Sequence, residues 1–167
     1  MTLFFKRVLI GVGLVFVSAC QSGVKNVADP LMAKLLFQGQ QCGHQQSFAA
    51  VTRIADEQAL TALAQQTGKI FSFTDKIDFE QQLLLLVEMG MKPTTGYRLS
   101  LSDNEVEVDQ HKAVLILNWQ QPPADAFLAQ VLTSPCLLVS IPFADYASVE
   151  LVDNDGKPRL LLKNIRP

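Results

Sequence analysis

Three cysteines, two histidines and a short row of acids are the residues of this chain best suited to chemistry. Cys42-Gly43-His44 offers two metal ligands in one stretch, but nothing nearby completes a set, so no metal site is expected. Asp103, Glu105, Glu107 and Asp109 share one parity and would line one face of a strand. A cation or a basic partner could use that row. A solvated face with Val106 and Val108 turned inward is the expected reading of it. Asp153, Asp155 and Gly156 match the opening positions of a calcium loop, yet Lys157 follows and no bidentate Glu comes after it, so a turn is expected. There is no G-x-S-x-G elbow, no phosphate-binding glycine loop and no H-E-x-x-H. The residues therefore predict no catalytic centre and no cofactor.

Cys20 has a different context. Lys6 and Arg7 precede an uncharged apolar run from Val8 to Val17, and small residues follow, which is the layout of a secretory signal. The run ends as Val17-Ser18-Ala19-Cys20, which resembles the bacterial lipobox. That resemblance implies cleavage before Cys20 and acylation of its thiol and new amino terminus. Several acyl chains anchor stably where one gives marginal binding. Gln21 follows the cysteine, and by the sorting rule of two-membrane envelopes this places the anchor in the outer membrane, facing the periplasm. The expected divisions are a signal at 1–19, a lipidated tether at 20–33 and one globular domain at 34–167. Cleavage removes Lys6 and Arg7 and leaves 12 basic against 16 acidic residues. With no basic run, nucleic acid is excluded as a partner. Membrane lipid, through acylated Cys20, is the first expected partner. In an exported chain Cys42 and Cys136 are then the two remaining thiols, and one Cys42–Cys136 disulfide is expected in preference to two separate buried thiols.

The elements that must carry these residues follow from pattern. Ala33–Gly39 and Phe48–Ile54 suit strands. Asp56 is placed as an N-cap before Ala59, Leu60, Leu63 and Ala64, and Gly68 falls at a C′ position, so a helix is predicted over about 57–66. Leu83–Val87 is a short continuous apolar run, as in a strand buried on both faces. Tyr97, Leu99 and Leu101 alternate with polar residues, and Val106 and Val108 continue the alternation after a bend near Asp103-Asn104. Val114–Leu117 and Leu137–Ile141 are further apolar runs, and Asn154-Asp155-Gly156 marks a hairpin between Val149–Val152 and Leu160–Leu162. One helix near the start of the mature domain, then some six strands in hairpin order, predicts an α+β fold with a mainly antiparallel sheet curling on itself.

Met91-Lys92-Pro93-Thr94-Thr95-Gly96-Tyr97 is the most distinctive local feature. Pro93 fixes φ and Gly96 can take positive φ, so the connection is stiff and turned. Thr94 and Thr95 are expected at its tip, and Tyr97 in the core by its parity with Leu99. The loop Pro93, Thr94, Thr95, Gly96, Tyr97 is the candidate protein-contact surface.

Residues from about Phe79 to Val152 resemble the C-terminal domain of PrcB-type protease-complex lipoproteins. The resemblance rests on an apolar strand ending in Met89-Gly90, then Lys92-Pro93-Thr94-Thr95-Gly96-Tyr97, the Pro122-Pro123 turn, and Leu132-Thr133-Ser134-Pro135-Cys136-Leu137-Leu138-Val139-Ser140-Ile141-Pro142. Thr95 stands where the family usually has Gly, and Cys136 where it has an aromatic. The resemblance implies a non-enzymatic lipoprotein that binds and stabilises an exported protease or another envelope protein. Pro93–Tyr97 is also similar to the cleft-inserting loop of chagasin-type protease inhibitors, whose two further loops are missing between Tyr97 and Val152. A structural envelope lipoprotein without a dedicated partner is the third expectation.

Overall fold

The computed structural model describes residues 30–42, 46–69, 71 and 76–165. The signal, Cys20 and His44 lie outside these residues. Among the described residues ten strands and one helix follow in order: β1 (Leu31–Met32), β2 (Lys34–Gly39), β3 (Ala50–Ile54), α1 (Glu57–Thr67), β4 (Gln82–Glu88), β5 (Arg98–Leu101), β6 (Glu105–Asp109), β7 (Lys112–Gln120), β8 (Cys136–Pro142), β9 (Ser148–Asp153) and β10 (Pro158–Lys163).

The strands divide between two sheets, where the sequence suggested one. The first has the order β2-β8-β4-β3 and is antiparallel throughout. The second runs β1-β6-β7-β9-β10, with β5 also paired to β7. The expected hairpin order fails at β7 and β9, which lie side by side in parallel, with Leu115 opposite Leu151. The chain leaves β7, builds β8 into the other sheet, and returns to lay β9 beside β7. A period-two pattern says which face of a strand is apolar, not which strand lies beside it.

β4 and β8 show why the first sheet is central. Leu83, Leu85, Val87, Leu137, Val139 and Ile141 point into the core between the sheets, against Leu99, Leu115, Leu117, Val149 and Leu151. Leu84, Leu86 and Leu138 point the other way, against Leu63 of α1 with Leu60, Phe71, Ile77 and Phe79. Strands covered on both faces read as continuous apolar runs. Each such leucine contributes on the order of 1.5–3 kcal/mol by burial.

The helix forms where its punctuation sits. The Asp56 carboxylate accepts the Ala59 N–H at 2.7 Å, and Gly68 closes the last turn at φ 62°, donating to the carbonyls of Ala64 and Gln65. Two assignments need correction. Leu31 and Met32, expected in the tether, pair with Val106 and Glu105, and Ala33 is buried. An apolar triplet is too short to show alternation, so the sequence could not mark it. Val106 is buried as expected, but Val108 is 46% exposed. It lies opposite Ala113, one pair short of the β6–β7 turn. Glu105, Glu107 and Asp109 are all exposed.

At the β9–β10 turn the Asp153 carboxylate accepts the N–H groups of Asp155 and Lys157 at 3.0 and 2.9 Å. It also pairs with Arg159 at 2.6 Å, whose guanidinium lies 5.6 Å from the Trp119 ring centroid. The Lys157 N–H and then the Arg159 side chain hold this carboxyl below its ordinary 3.8, against the opposing effect of burial. A depressed folded pKa adds stability that is present above the unfolded value and lost as pH falls through the folded one. The wild type should therefore lose more of its melting temperature than Asp153→Asn between about pH 5 and about pH 3. Equal losses in thermal scans of the two proteins would remove Asp153 from the acid response.

Candidate functional site

One end of the sandwich gathers three loops. β2 finishes at Gly39 opposite Cys136, where β8 begins, and β4 finishes at Glu88 opposite both Cys136 and Ala50. β7 likewise ends at Gln120, opposite Arg98 at the start of β5. The described parts of 40–49 therefore emerge together with 89–97 and 121–135.

The Pro93–Tyr97 loop connects β4 to β5, which belong to different sheets. It therefore carries the chain from one layer to the other. Thr94 and Thr95 do not stand free at a tip. Both are half-buried against the 121–135 stretch, where the Thr133 hydroxyl donates to the Thr94 carbonyl at 3.1 Å. The Thr95 N–H donates to Ala129 at the same distance, and Lys92 and Thr133 exchange two backbone hydrogen bonds. Pro93 and Gly96 are the exposed members of the loop. Gly96 has φ 94°, and a Cβ there would lie 3.0 Å from Pro122. Tyr97 is half-buried against the inter-sheet core, as its parity indicated, with the Lys92 ammonium 5.6 Å from its ring centroid.

Sequence reasoning missed the side chains that dominate this end. Phe127 is fully exposed, and Phe48, Leu132 and Val131 are 66%, 59% and 51% exposed. Phe127 precedes Leu128, whose side chain lies against Gly96 of the Pro93 loop. Met91 N–H donates to the Gln46 carbonyl, placing the Phe48 turn on one side of residues 90–91. On the other side, Leu132 precedes Thr133 in its pairing with Lys92, and its carbonyl accepts from the Gln41 amide at 2.8 Å. Residues 121–132 carry no period, so nothing in their pattern separates an exposed phenylalanine from a buried one.

Cys42 and Cys136 form a disulfide at the base of this end, with Cα atoms 6.0 Å apart. Both are buried. The Cys42 sulfur is thereby spent, so the metal reading of Cys42-Gly43-His44 loses one of its two ligands. His111 Nδ1 lies 3.1 Å from Asp145, and both side chains are largely exposed. This pair sits at the β6–β7 turn, at the far end from the three loops.

Residues 83–142 match the protein family described as PrcB C-terminal. The matched segment runs from β4 to β8 and so contains the Pro93–Tyr97 loop, Phe127, Val131 and Leu132. It is shorter at both ends than the 79–152 expected from the sequence. No curated protein and no solved structure matches the chain.

Proposed function

We propose that this chain is a lipid-anchored, non-enzymatic lipoprotein that binds an exported protein, a protease or another envelope protein, through its three-loop end. The supporting observation is the concentration of exposed apolar side chains there, three of which (Phe127, Val131 and Leu132) lie within the segment that matches the PrcB C-terminal family. Large apolar side chains clustered at one place on a soluble surface mark a contact site. The acyl anchor on Cys20 would hold the domain at the periplasmic face of the outer membrane. The half-buried threonines fit a stiff platform better than an inhibitor's inserted finger.

Two experiments test the reading. Labelled palmitate should enter the wild type and be absent from Cys20→Ala, which should accumulate as uncleaved precursor; equal labelling would end the anchor. Crosslinked pull-down of the lipidated protein from its own envelope should recover one protein with the wild type and lose it with Pro93→Arg. Pro93 is exposed, so that change should leave the melting temperature nearly unaltered, surface substitutions costing within about 0.5 kcal/mol. Undiminished recovery with Pro93→Arg would remove the loop from the contact. Titration against papain-like and subtilisin-like proteases separates binding from inhibition.

A further inference from the structure

Phe127 is fully exposed, and it stands in the irregular crossing from β7 to β8. Among the described residues, the backbone of 121–132 is bonded to the rest of the protein at two points only. The Ala129 carbonyl accepts the Thr95 N–H at 3.1 Å, and the Leu132 carbonyl accepts the Gln41 amide at 2.8 Å. The bonds from Ala126 to Pro123 and from Val131 to Ala129 are local turns. Leu128, the next residue after Phe127, is half-buried with its side chain near Gly96. Freeing the chain around Phe127 therefore breaks one backbone hydrogen bond to another segment and one apolar contact. Openings of that size are the least costly in a folded protein, and exposed irregular loops are where proteases nick. Other apolar side chains are better held. Leu35 and Leu161 lie on β2 and β10. The Phe48 carbonyl lies against Gly90, and the neighbouring Gln46 accepts the Met91 N–H. Tyr97 and Trp119 pack on the inter-sheet core.

The topology decides what a cut after Phe127 leaves behind. The first piece carries β1 to β7 with α1, and the second carries β8 to β10. β8 lies between β2 and β4, and β9 lies beside β7, so the second piece is built into both sheets. Leu137, Leu138, Val139, Ile141, Val149 and Leu151 hold it there, all fully buried. Cys42 belongs to the first piece and Cys136 to the second, so their disulfide joins the two covalently.

We propose that the Phe127–Leu128 peptide bond is a processing site for an endopeptidase of apolar primary specificity, and that the product is a folded two-piece protein held by Cys42–Cys136. In the cut, water adds its hydroxyl to the Phe127 carbonyl carbon. The C–N bond breaks, and the Leu128 nitrogen leaves as an amine with the second proton. The cut does not depend on whether the three-loop end binds a partner.

The test begins with the full chain, solubilised in detergent and treated with a trace of chymotrypsin. It should be cut once, and amino-terminal sequencing should find Leu128 at the new terminus. The product should run as one band on a non-reducing gel and as two on a reducing gel. The oxidised two-piece protein should keep a cooperative thermal transition and lose it on reduction. Phe127→Asp should be cut about tenfold more slowly or less, with its melting temperature unchanged. Reducing gels of the envelope should show the same two pieces for the wild type and not for Phe127→Asp. A first cut at Phe48 or elsewhere, separation of the pieces without reductant, or an undiminished rate with Phe127→Asp overturns the proposal. So does an envelope that holds only the intact chain.

Discussion

Reduction of the Cys42–Cys136 disulfide is expected to lower the melting temperature by about 10–20 °C, the largest change any single bond in this domain should produce. The two cysteines are 94 positions apart. In the chain-entropy account, closing a loop of that length removes roughly 4–5 kcal/mol of unfolded-state freedom, and measured values are often smaller. For a domain of this size each kcal/mol moves the midpoint by about 2–6 °C. The native state has little to lose in geometry, because β2 already brings Gly39 opposite Cys136. The disulfide also fixes Cys42, just beyond the Gln41–Ser134 bridge that follows β2. Thermal unfolding of the oxidised and reduced chain, with Cys42→Ala/Cys136→Ala as a second reduced form, measures the effect. A shift below about 2 °C in both would show that the unfolded chain gains almost nothing from the loop's release.

The Cys42–Cys136 pairing expected from the thiol count is present in the structure. Counting thiols limited the choice to one bond or none, and only the register of β2 against β8 decides it. Where a signal is local, the residues were enough. Asp56 and Gly68 mark the helix because capping uses atoms three or four positions away. Leu83–Val87 and Leu137–Ile141 announce strands covered on both sides because burial acts on every residue of the run. The partner of each strand was not legible. Nothing in Val114–Leu117 distinguishes an antiparallel neighbour from β9 in parallel, and the division into two sheets depends on where 121–135 crosses.

The candidate site divides in the same way. Pro93 and Gly96 were visible as turn chemistry, and Tyr97 as a core side chain by its parity. The assignment of Thr94 and Thr95 to an exposed tip failed because their covering segment, residues 129–133, lies more than thirty positions away. Phe127 was invisible for a related reason. In an irregular stretch, exposure is set by which neighbours happen to fold over a residue, and none folds over this one. The apolar surface is thus a property of three loops meeting, not of any one of them.

Gly90→Ala should be the most disruptive small substitution in the chain, costing about 3–4 kcal/mol, and the reason is again a distant segment. Gly90 ends the apolar run of β4 with φ 76°. A Cβ there would lie 2.5 Å from the Phe48 carbonyl oxygen and 2.7 Å from the Ser47 oxygen. Both are backbone atoms, so no side chain can swing away. The Met91 N–H bond to Gln46 holds the same turn in place. Two costs therefore add, the left-handed backbone, at roughly 1–2 kcal/mol for a residue with Cβ, and displacement of the 46–48 turn. Gly156→Ala isolates the first, since Gly156 has φ 73° and nothing within 4 Å of its virtual Cβ. Urea unfolding should show Gly156→Ala losing about 1 kcal/mol and Gly90→Ala at least twice that. Because the displaced turn carries Phe48, Gly90→Ala should also weaken partner recovery, whereas Gly156→Ala should leave it intact. Equal stability losses in the two variants would mean that the 46–48 turn yields freely, and that β4 does not depend on its close approach.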